Sequence, residues 1–383
     1  MKKLLLLSAA AMIAATSAMA MGVSEPTLKM VWEQKVELTA TETRYGIGWQ
    51  DVVLTVDKTA KKLVAINKAG VISQIQVAND NFTGTAISCD DQGNLLVSAG
   101  FPGVGSSKNW SVVDQSGAVA NFALEGVSGR LDQVGRVAGD MLSAEGGYVF
   151  LTPSNDANTE VDESAQIYAV KIYKDGETVK TEVKASSALG ENMATSCIAQ
   201  PAMSASEISE AWATSIDECF YWRNSSNRSI KYFADSEVES IASPVSTGGQ
   251  SHGFDVFELQ GTTYAIFPNG ANWTTLFCIK DANKNEVVAE YAPATAPYSS
   301  ANQMSINAEI VSETKANIYV YGCGGFAAQY TFEVPDTATA IESVAVDANA
   351  PVEYYNLQGV KVANPENGLF IKKQGNKAVK VIL

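Results

Sequence analysis

From Arg44 onward the chain alternates short apolar runs with clusters of Asp, Asn, Lys and Gly, and a helical period is almost absent. Residues 52–56 lead into Asp57, Lys58, Thr59, Ala60 and Lys61, residues 63–67 into Lys68, Ala69 and Gly70, and residues 71–77 then alternate apolar with polar. A period of two, punctuated by turn residues about every 8–12 positions, predicts a meander of short antiparallel strands. One stretch departs from it. In 203–213, Ser204 and Glu207 stand three apart ahead of an apolar-periodic run, the spacing of a capping box, which predicts a short helix set into a loop.

The strand unit recurs. Residues 86–98 read as a strand, a turn of Asp90, Asp91, Gln92, Gly93 and Asn94, and a second apolar strand; 110–114, the turn Gln115, Ser116 and Gly117, and 119–124 complete it. The turn glycines Gly70, Gly117 and Gly176 follow comparable apolar strands, 117 − 70 = 47 and 176 − 117 = 59 residues apart. Propeller blades repeat about every 40–50 residues, with insertions falling in loops. Three later units, at 193–241, 253–291 and 304–334, fit the scheme more loosely. The expectation is an all-β chain, a β-propeller of about six blades with seven also compatible. Two stacked sandwiches are the competing arrangement. Radial repetition is preferred because it keeps the strand edges of a long all-β chain short and protected.

The two ends carry addresses. Lys2 and Lys3 precede an apolar run, 4–15, broken only by Ser8, and Ala18-Met19-Ala20 gives the small-x-small pattern of a signal-peptidase site. The run is shorter than the roughly 20 apolar residues of a membrane span, so residues 1–20 are expected to be a cleaved signal peptide that leaves no membrane span. At the other end, 354–362, 369–372 and 377–383 are strand-like, separated by turn residues at 364–368 and 374–376. Residues 351–383 hold five Lys against Glu353 and Glu366, 5 − 2 = +3, in a chain of formal net charge −15. That contrast marks the tail as its own unit, with 335–350 as a linker and 21–334 as the propeller-like domain.

Tyr355, Asn356, Leu357, Gln358, Gly359 and Val360, then Gly368, Leu369, Phe370 and Ile371, then Lys377 through Ile382 with Lys380 between, carry a resemblance. The tail resembles the short form of the C-terminal sorting domain of the type IX secretion pathway. The resemblance implies a small β-sandwich-like domain, the secretion machinery as a partner, and a cell-surface or extracellular destination with the periplasm as transit. It implies no chemistry. The body is similar to secreted propeller proteins that carry this tail, which again supplies no activity.

Removing Lys2 and Lys3 with the signal takes the net charge to −15 − 2 = −17. So acidic a surface repels phosphate backbones and anionic lipid, and a nucleic-acid partner is not expected. The five cysteines, Cys89, Cys197, Cys219, Cys278 and Cys323, are scattered among apolar neighbours and read as buried free thiols ahead of disulfides.

His252 is the sole histidine, in a glycine-rich loop without a Gly-x-Ser-x-Gly elbow, and one histidine does not make a multi-histidine zinc site. Asp281, Asn283 and Asn285 mimic the opening of a calcium loop, but Glu286 stands where that loop needs glycine and Ala292 where it needs glutamate. No metal or cofactor is therefore expected. Trp49, Trp110, Trp222 and Trp273 lie near strand ends or polar loops, where an indole can stack on a sugar or anchor a partner, although blade packing uses the same residues. With His252 they form the candidate ligand-contacting set. The expected function is a secreted binding module for a glycan or a protein; a glycan-processing hydrolase or lyase and a structural surface component are the alternatives.

Overall fold

The computed structural model describes residues 23–39, 43, 45–76, 86–98, 110–127, 131, 133–153, 166–186, 198–223, 230–234, 237–241, 253–269, 276–291, 304–336, 351–356, 359–366, 368–374 and 377–382. It divides into two compact units, 1–334 and 335–383.

The first unit begins with β1 (Thr27–Lys35). Five four-stranded antiparallel meanders follow. Blade one is β2 (Gly46–Trp49), β3 (Val52–Asp57), β4 (Lys62–Asn67) and β5 (Gly70–Gln76). Blade two is β6 (Ala86–Cys89), β7 (Leu95–Ser98), β8 (Trp110–Val113) and β9 (Val119–Phe122). Blade three is β10 (Ala138–Asp140), β11 (Gly146–Leu151), β12 (Tyr168–Asp175) and β13 (Thr178–Ala185). Blade four holds β14 (Ile198–Pro201), the helix α1 (Ala205–Ala211), β15 (Phe220–Arg223), β16 (Ile230–Ala234) and β17 (Glu237–Ile241). Blade five is β18 (Asp255–Leu259), β19 (Thr262–Asn269), β20 (Leu276–Asp281) and β21 (Glu286–Tyr291). The sixth is β22 (Met304–Ser312), β23 (Lys315–Gly322) and β24 (Phe326–Glu333), and its outermost strand is β1, paired from Thr27↔Glu333 to Lys35↔Phe326.

The core lies between these sheets rather than within any one of them. Separate apolar clusters join blades one, two and three (Ile47, Leu96, Leu151), three and four (Phe150, Phe220), four and five (Ile198, Phe267), five and six (Ile266, Phe332), and six and one (Tyr319, Val53). The last junction closes the ring. The unit is a six-bladed β-propeller.

Burial explains the sequence pattern. Strands β6, β8, β11 and β14 are covered on both faces and read as continuous buried runs, whereas the outer strands β13 and β21 are largely exposed. In blade one, Val53 and Ile66 face blade six while Val56 and Leu63 face blade two, so alternation feeds two interfaces at once. The glycines of β2 are there for contact. A Cβ on Gly48 would lie 1.9 Å from Cγ of Tyr319, and one on Gly46 would lie 2.5 Å from Cγ of Tyr321. Blade six thus rests two tyrosine rings on bare backbone.

The turn glycines all mark the step from third to fourth strand of their blades, Gly70 as the first residue of β5 and Gly117 and Gly176 within the connection, with φ of 95°, 85° and 61°. Only glycine adopts that region freely. The predicted helix is present, with both halves of its capping box formed by Ser204 and Glu207, in the connection from β14 to β15. Sequence reading began the propeller domain at residue 21 but traced its strands only from Arg44, and did not place β1. That strand shows little alternation because it is an outer edge whose single buried residue is Trp32, and a bulge at Met30/Trp32 breaks its period.

The second unit is one four-stranded antiparallel sheet among its described residues. Its strands are β25 (Val352–Tyr355), β26 (Lys361–Val362), β27 (Leu369–Gln374) and β28 (Lys377–Ile382), ordered β26-β25-β27-β28. The run 354–362, read as one strand, is divided by a turn: Asn356 N–H donates to the Val360 carbonyl, Gly359 N–H to the Asn356 carbonyl, and Val360 N–H to Asn356 Oδ1. Gly359 has φ of 80°. Asp114 and Gly117 build the same five-residue turn in blade two, as do Asp90 and Gly93.

Candidate functional site

Strand alternation fixes which loops share a face. In each blade the first-to-second and third-to-fourth connections leave one end of the ring, and the second-to-third and blade-to-blade connections leave the other. On the first end the gaps between strands are two to five residues (50–51, 68–69, 90–94, 176–177 and their equivalents), apart from 202–219, which carries α1. On the second end they run from six to sixteen residues (224–229, 99–109, 242–254, 152–167), apart from 58–61 and 323–325. Long connections thus start from strand ends gathered on one face of a rigid ring.

The described groups at the axis form a clasp from blade to blade. Asp255, the first residue of β18, is 1% exposed and sits 3.4 Å from Arg136 Nε. Its carboxylate accepts from Val256 N–H (2.8 Å) and, across the junction with blade six, from Ala308 N–H (2.9 Å). Arg136, just ahead of β10, donates through Nη2 to the carbonyls of Pro201 (3.0 Å) and Val256 (3.3 Å). Gln200 accepts from Arg136 N–H (2.8 Å) and donates to the Phe254 carbonyl (2.7 Å). Three blades therefore meet at one guanidinium.

The ring continues on both sides. Ser88 donates to the Gly135 carbonyl (2.5 Å), Asn307 exchanges two 2.8 Å bonds with the backbone of Gly48, and Ser305 accepts from Gly46 N–H (3.2 Å). Nearer the short-turn end, Glu309 accepts from Gln50 N–H (3.1 Å) and Tyr319 O–H (2.8 Å). Burial, then the charge of Glu309, push the Tyr319 hydroxyl well above its usual range. Burial also pushes the Cys89 thiol far up, reinforced by the negative charges of Asp90, Glu309, Asp91 and Asp255, which disfavours the thiolate. Cys219, 0% exposed, is pushed up to about 11, chiefly by burial.

Two turns of one design titrate in opposite directions. Asp90 is 2% exposed, and burial raises its carboxyl above 3.8 despite bonds from Asn94, Met141 and Gln92. At Asp114 burial also raises, but bonds from Ser116, Ala118 and Gly117 outweigh it, and the carboxyl falls below 3.8. A depressed folded pKa gives stability that is present above the ordinary value and lost as pH falls through the lowered one; a raised pKa gives the reverse. Asp114→Asn is therefore expected to cost most at neutral pH, with the deficit vanishing in acid. The stability of the native chain relative to Asp90→Asn should instead fall as pH rises above 3.8. Chemical denaturation of the variants from pH 3 to pH 7 checks both, and parallel pH profiles would overturn the assignment.

Three of the four candidate tryptophans, Trp49, Trp110 and Trp222, lie among the described residues. Trp110 and Trp222, 1% and 0% exposed, are core: Trp110 packs against Phe122 and Trp222 against Phe220. A ligand does not reach them, and their place among strand-end aromatics is corrected to blade packing. Trp49 is half-buried at the short-turn end, its indole laid on the Gly93 turn, where an added Cβ would come within 2.3 Å of the ring. Trp273 and His252 lie outside the described residues, as do Ala18, Ala20 and Leu357 of the address motifs. Cys89, Cys219 and Cys323 are buried free thiols. Among the described residues no group of three His, Cys, Asp or Glu is placed to hold a metal ion, and no helix is long and apolar enough to cross a membrane.

Sequence reading missed Arg136 and Arg223. The signal for them was substitution of type: in a chain with 22 Lys and 5 Arg, an arginine marks a place where a planar fork is needed and a lysine does not serve. Arg223 is 1% exposed and stands 5.9 Å over the Phe267 ring, at the junction of blades four and five.

No protein-family model matches the chain, and no curated protein matches it. Among solved structures it is similar to selenomethionine-substituted virginiamycin B lyase from Staphylococcus aureus, at 10% identity over 80% of this chain and 99% of that one, with a TM-score of 0.47. A streptogramin B lyase structure follows at 9% identity, 81% and 98% coverage and a TM-score of 0.43. A catalytically inactive virginiamycin B lyase from S. aureus with quinupristin has 13% identity, 94% and 100% coverage and a TM-score of 0.38. The propeller itself rests on the sheets and junctions described above.

Proposed function

We propose that the chain is an exported propeller that works as a binding module for a glycan or a protein ligand, delivered to the cell surface or beyond by its C-terminal tail. The observation that carries the binding reading is the asymmetry of the connections. Loops positioned by a rigid scaffold are where recognition residues concentrate. Here the long connections start from one end of a ring whose axis is locked by bonded polar side chains, and 242–254, with His252, and 270–275, with Trp273, are among them. Export is supported by Lys2, Lys3 and the Ala18-Met19-Ala20 site, and delivery by the tail motif from Tyr355 to Ile382.

A glycan array probed with the purified chain, followed by product analysis on any hit, tests the binding reading. The expected result is retention of a ligand, weakened at least tenfold by Trp273→Ala, with no product released. Product release that survives Trp273→Ala but is abolished by paired carboxylate substitutions would replace the module with a glycan-processing hydrolase or lyase. Retention of no ligand would leave the structural surface role. For delivery, removal of 351–383 is expected to leave thermal unfolding of the first unit unchanged while the protein accumulates in the periplasm. Undiminished surface delivery would overturn the sorting reading.

A further inference from the structure

We infer that Arg136, besides clasping the blades, is a ligand contact at the propeller axis, where its unbonded Nη1 takes a single carboxylate group; the inference rests on the reading of the propeller as a binding module. Arg136 precedes β10 of blade three, and its Nη2 donates to the carbonyls of Pro201 on β14 (3.0 Å) and Val256 on β18 (3.3 Å). Both are first strands, paired on one side only, with β15 and β19. The side chain therefore passes the first strand of blade four to reach that of blade five, and first strands surround the central channel of a propeller. Gln200 fixes its base, accepting from Arg136 N–H (2.8 Å) and donating to the Phe254 carbonyl (2.7 Å). The guanidinium is thus held before any ligand arrives.

Its five N–H groups are unevenly used. Nη2 serves two carbonyls. Nε lies 3.4 Å from Asp255 Oδ1, enclosed but without the alignment of a hydrogen bond. Nη1 bonds to no described residue and, unlike Nε, is not enclosed. The Arg136 side chain is 31% exposed, against 1% for Asp255, so the pair is closed at the carboxylate and open at the cation. Charge then selects the ligand. The acceptors of Nη2 are uncharged, and the Asp255 carboxylate is shared with the N–H groups of Val256 (2.8 Å) and Ala308 (2.9 Å). Positive potential is left at Nη1, where a charge-assisted bond to a carboxylate is about twice as strong as one to a neutral acceptor. A phosphate or a polysulfate, with several charges, is opposed by the formal net charge of −15. One carboxylate on an otherwise neutral body fits, and a sugar acid and a peptide terminus both supply it.

The test is a titration of the full chain, its arginines labelled with nitrogen-15, with D-glucuronate and N-acetylglycine, and with D-glucose and N-acetylglycinamide as their neutral counterparts. The Nε–Hε resonance of Arg136, identified by its loss in Arg136→Lys, is expected to shift saturably with at least one of the acids and with neither neutral compound. The affinity should weaken at least threefold as NaCl is raised to about 0.5 M. The acid that binds tighter assigns the carboxylate to a sugar or to a peptide. Arg223, 1% exposed, should not move. If Arg136→Lys does not fold, sequential assignment through Gly135 and Val137 identifies the resonance in the native chain. Shifts of equal size at all the arginines would show ionic strength alone, and an Arg136 resonance that ignores both acids would show a purely structural clasp; each overturns the inference. Retention of a neutral ligand on the array, with no competition from either acid, would overturn it too and leave the binding module standing. Retention of no ligand would defeat the module instead.

Discussion

Arg136→Ala should lower the stability of the propeller by about 3 kcal/mol, the lower end of the range for removing one partner of a buried ion pair, because the Arg136 side chain itself is 31% exposed. On a ring of this size that is a fall in Tm of roughly 5 °C. The loss is large because Asp255 is 1% exposed and would keep its charge with no cation beside it. Burial raises its carboxyl above 3.8 even with Arg136 in place, and without the guanidinium the carboxyl rises further. Two carbonyls, of Pro201 and Val256, also lose their donor. The double variant Arg136→Ala/Asp255→Asn separates the effects: removing the stranded charge should recover more than half of the loss. Equal stability of the single and double variants, measured by thermal and chemical denaturation, would show that the guanidinium acts by packing alone.

Gly135→Ala is the second large effect. The added Cβ would lie 1.9 Å from the carbonyl oxygen of Ala199 and 2.9 Å from Oε1 of Gln200. The first obstacle is backbone of the neighbouring blade, so relief requires blades three and four to move apart, and the bonds of Arg136 and Ser88 nearby resist that. A cost of about 3 kcal/mol or more is expected, at the upper end for overpacking. Gly176→Ala is the control. It has a φ of +61° but nothing within 4 Å of its Cβ, so only backbone strain applies, and about 1 kcal/mol should result. Similar losses in the two variants would show that the junction between blades three and four yields easily.

The sheets were legible in the sequence and the axis was not. Blade five was readable almost residue by residue, because β18 and β21 are bounded by Gly253, the Gln260-Gly261 turn and the 282–285 turn, which are local signals. Local chemistry likewise placed α1, since a capping box needs only Ser204 and Glu207. The clasp is long-range. Arg136 meets Asp255 across more than a hundred residues, and Asn307 meets Gly48 across 259, and nothing in either neighbourhood announces the partner. Trp110 and Trp222 misled for a related reason. They stand at strand ends beside long connections, as exposed aromatics do, yet the adjacent blade covers them. A single sequence shows which strand a residue occupies, and not which second sheet lies over it.

The strand at the rim of blade six makes folding a matter of timing. Thr27 is made among the first residues of the ring, but its partner Glu333 comes 333 − 27 = 306 positions later. Until then β1 has no strand to pair with, and its backbone edge stays open. Contacts of such sequence separation form slowly and late, and an open edge is a template for a neighbouring chain. Completion is therefore all-or-none with respect to length. A polypeptide stopped a few residues short of β24 leaves β1 unpaired, so the outer edge of blade six is completed only when the last strand of the body has been made.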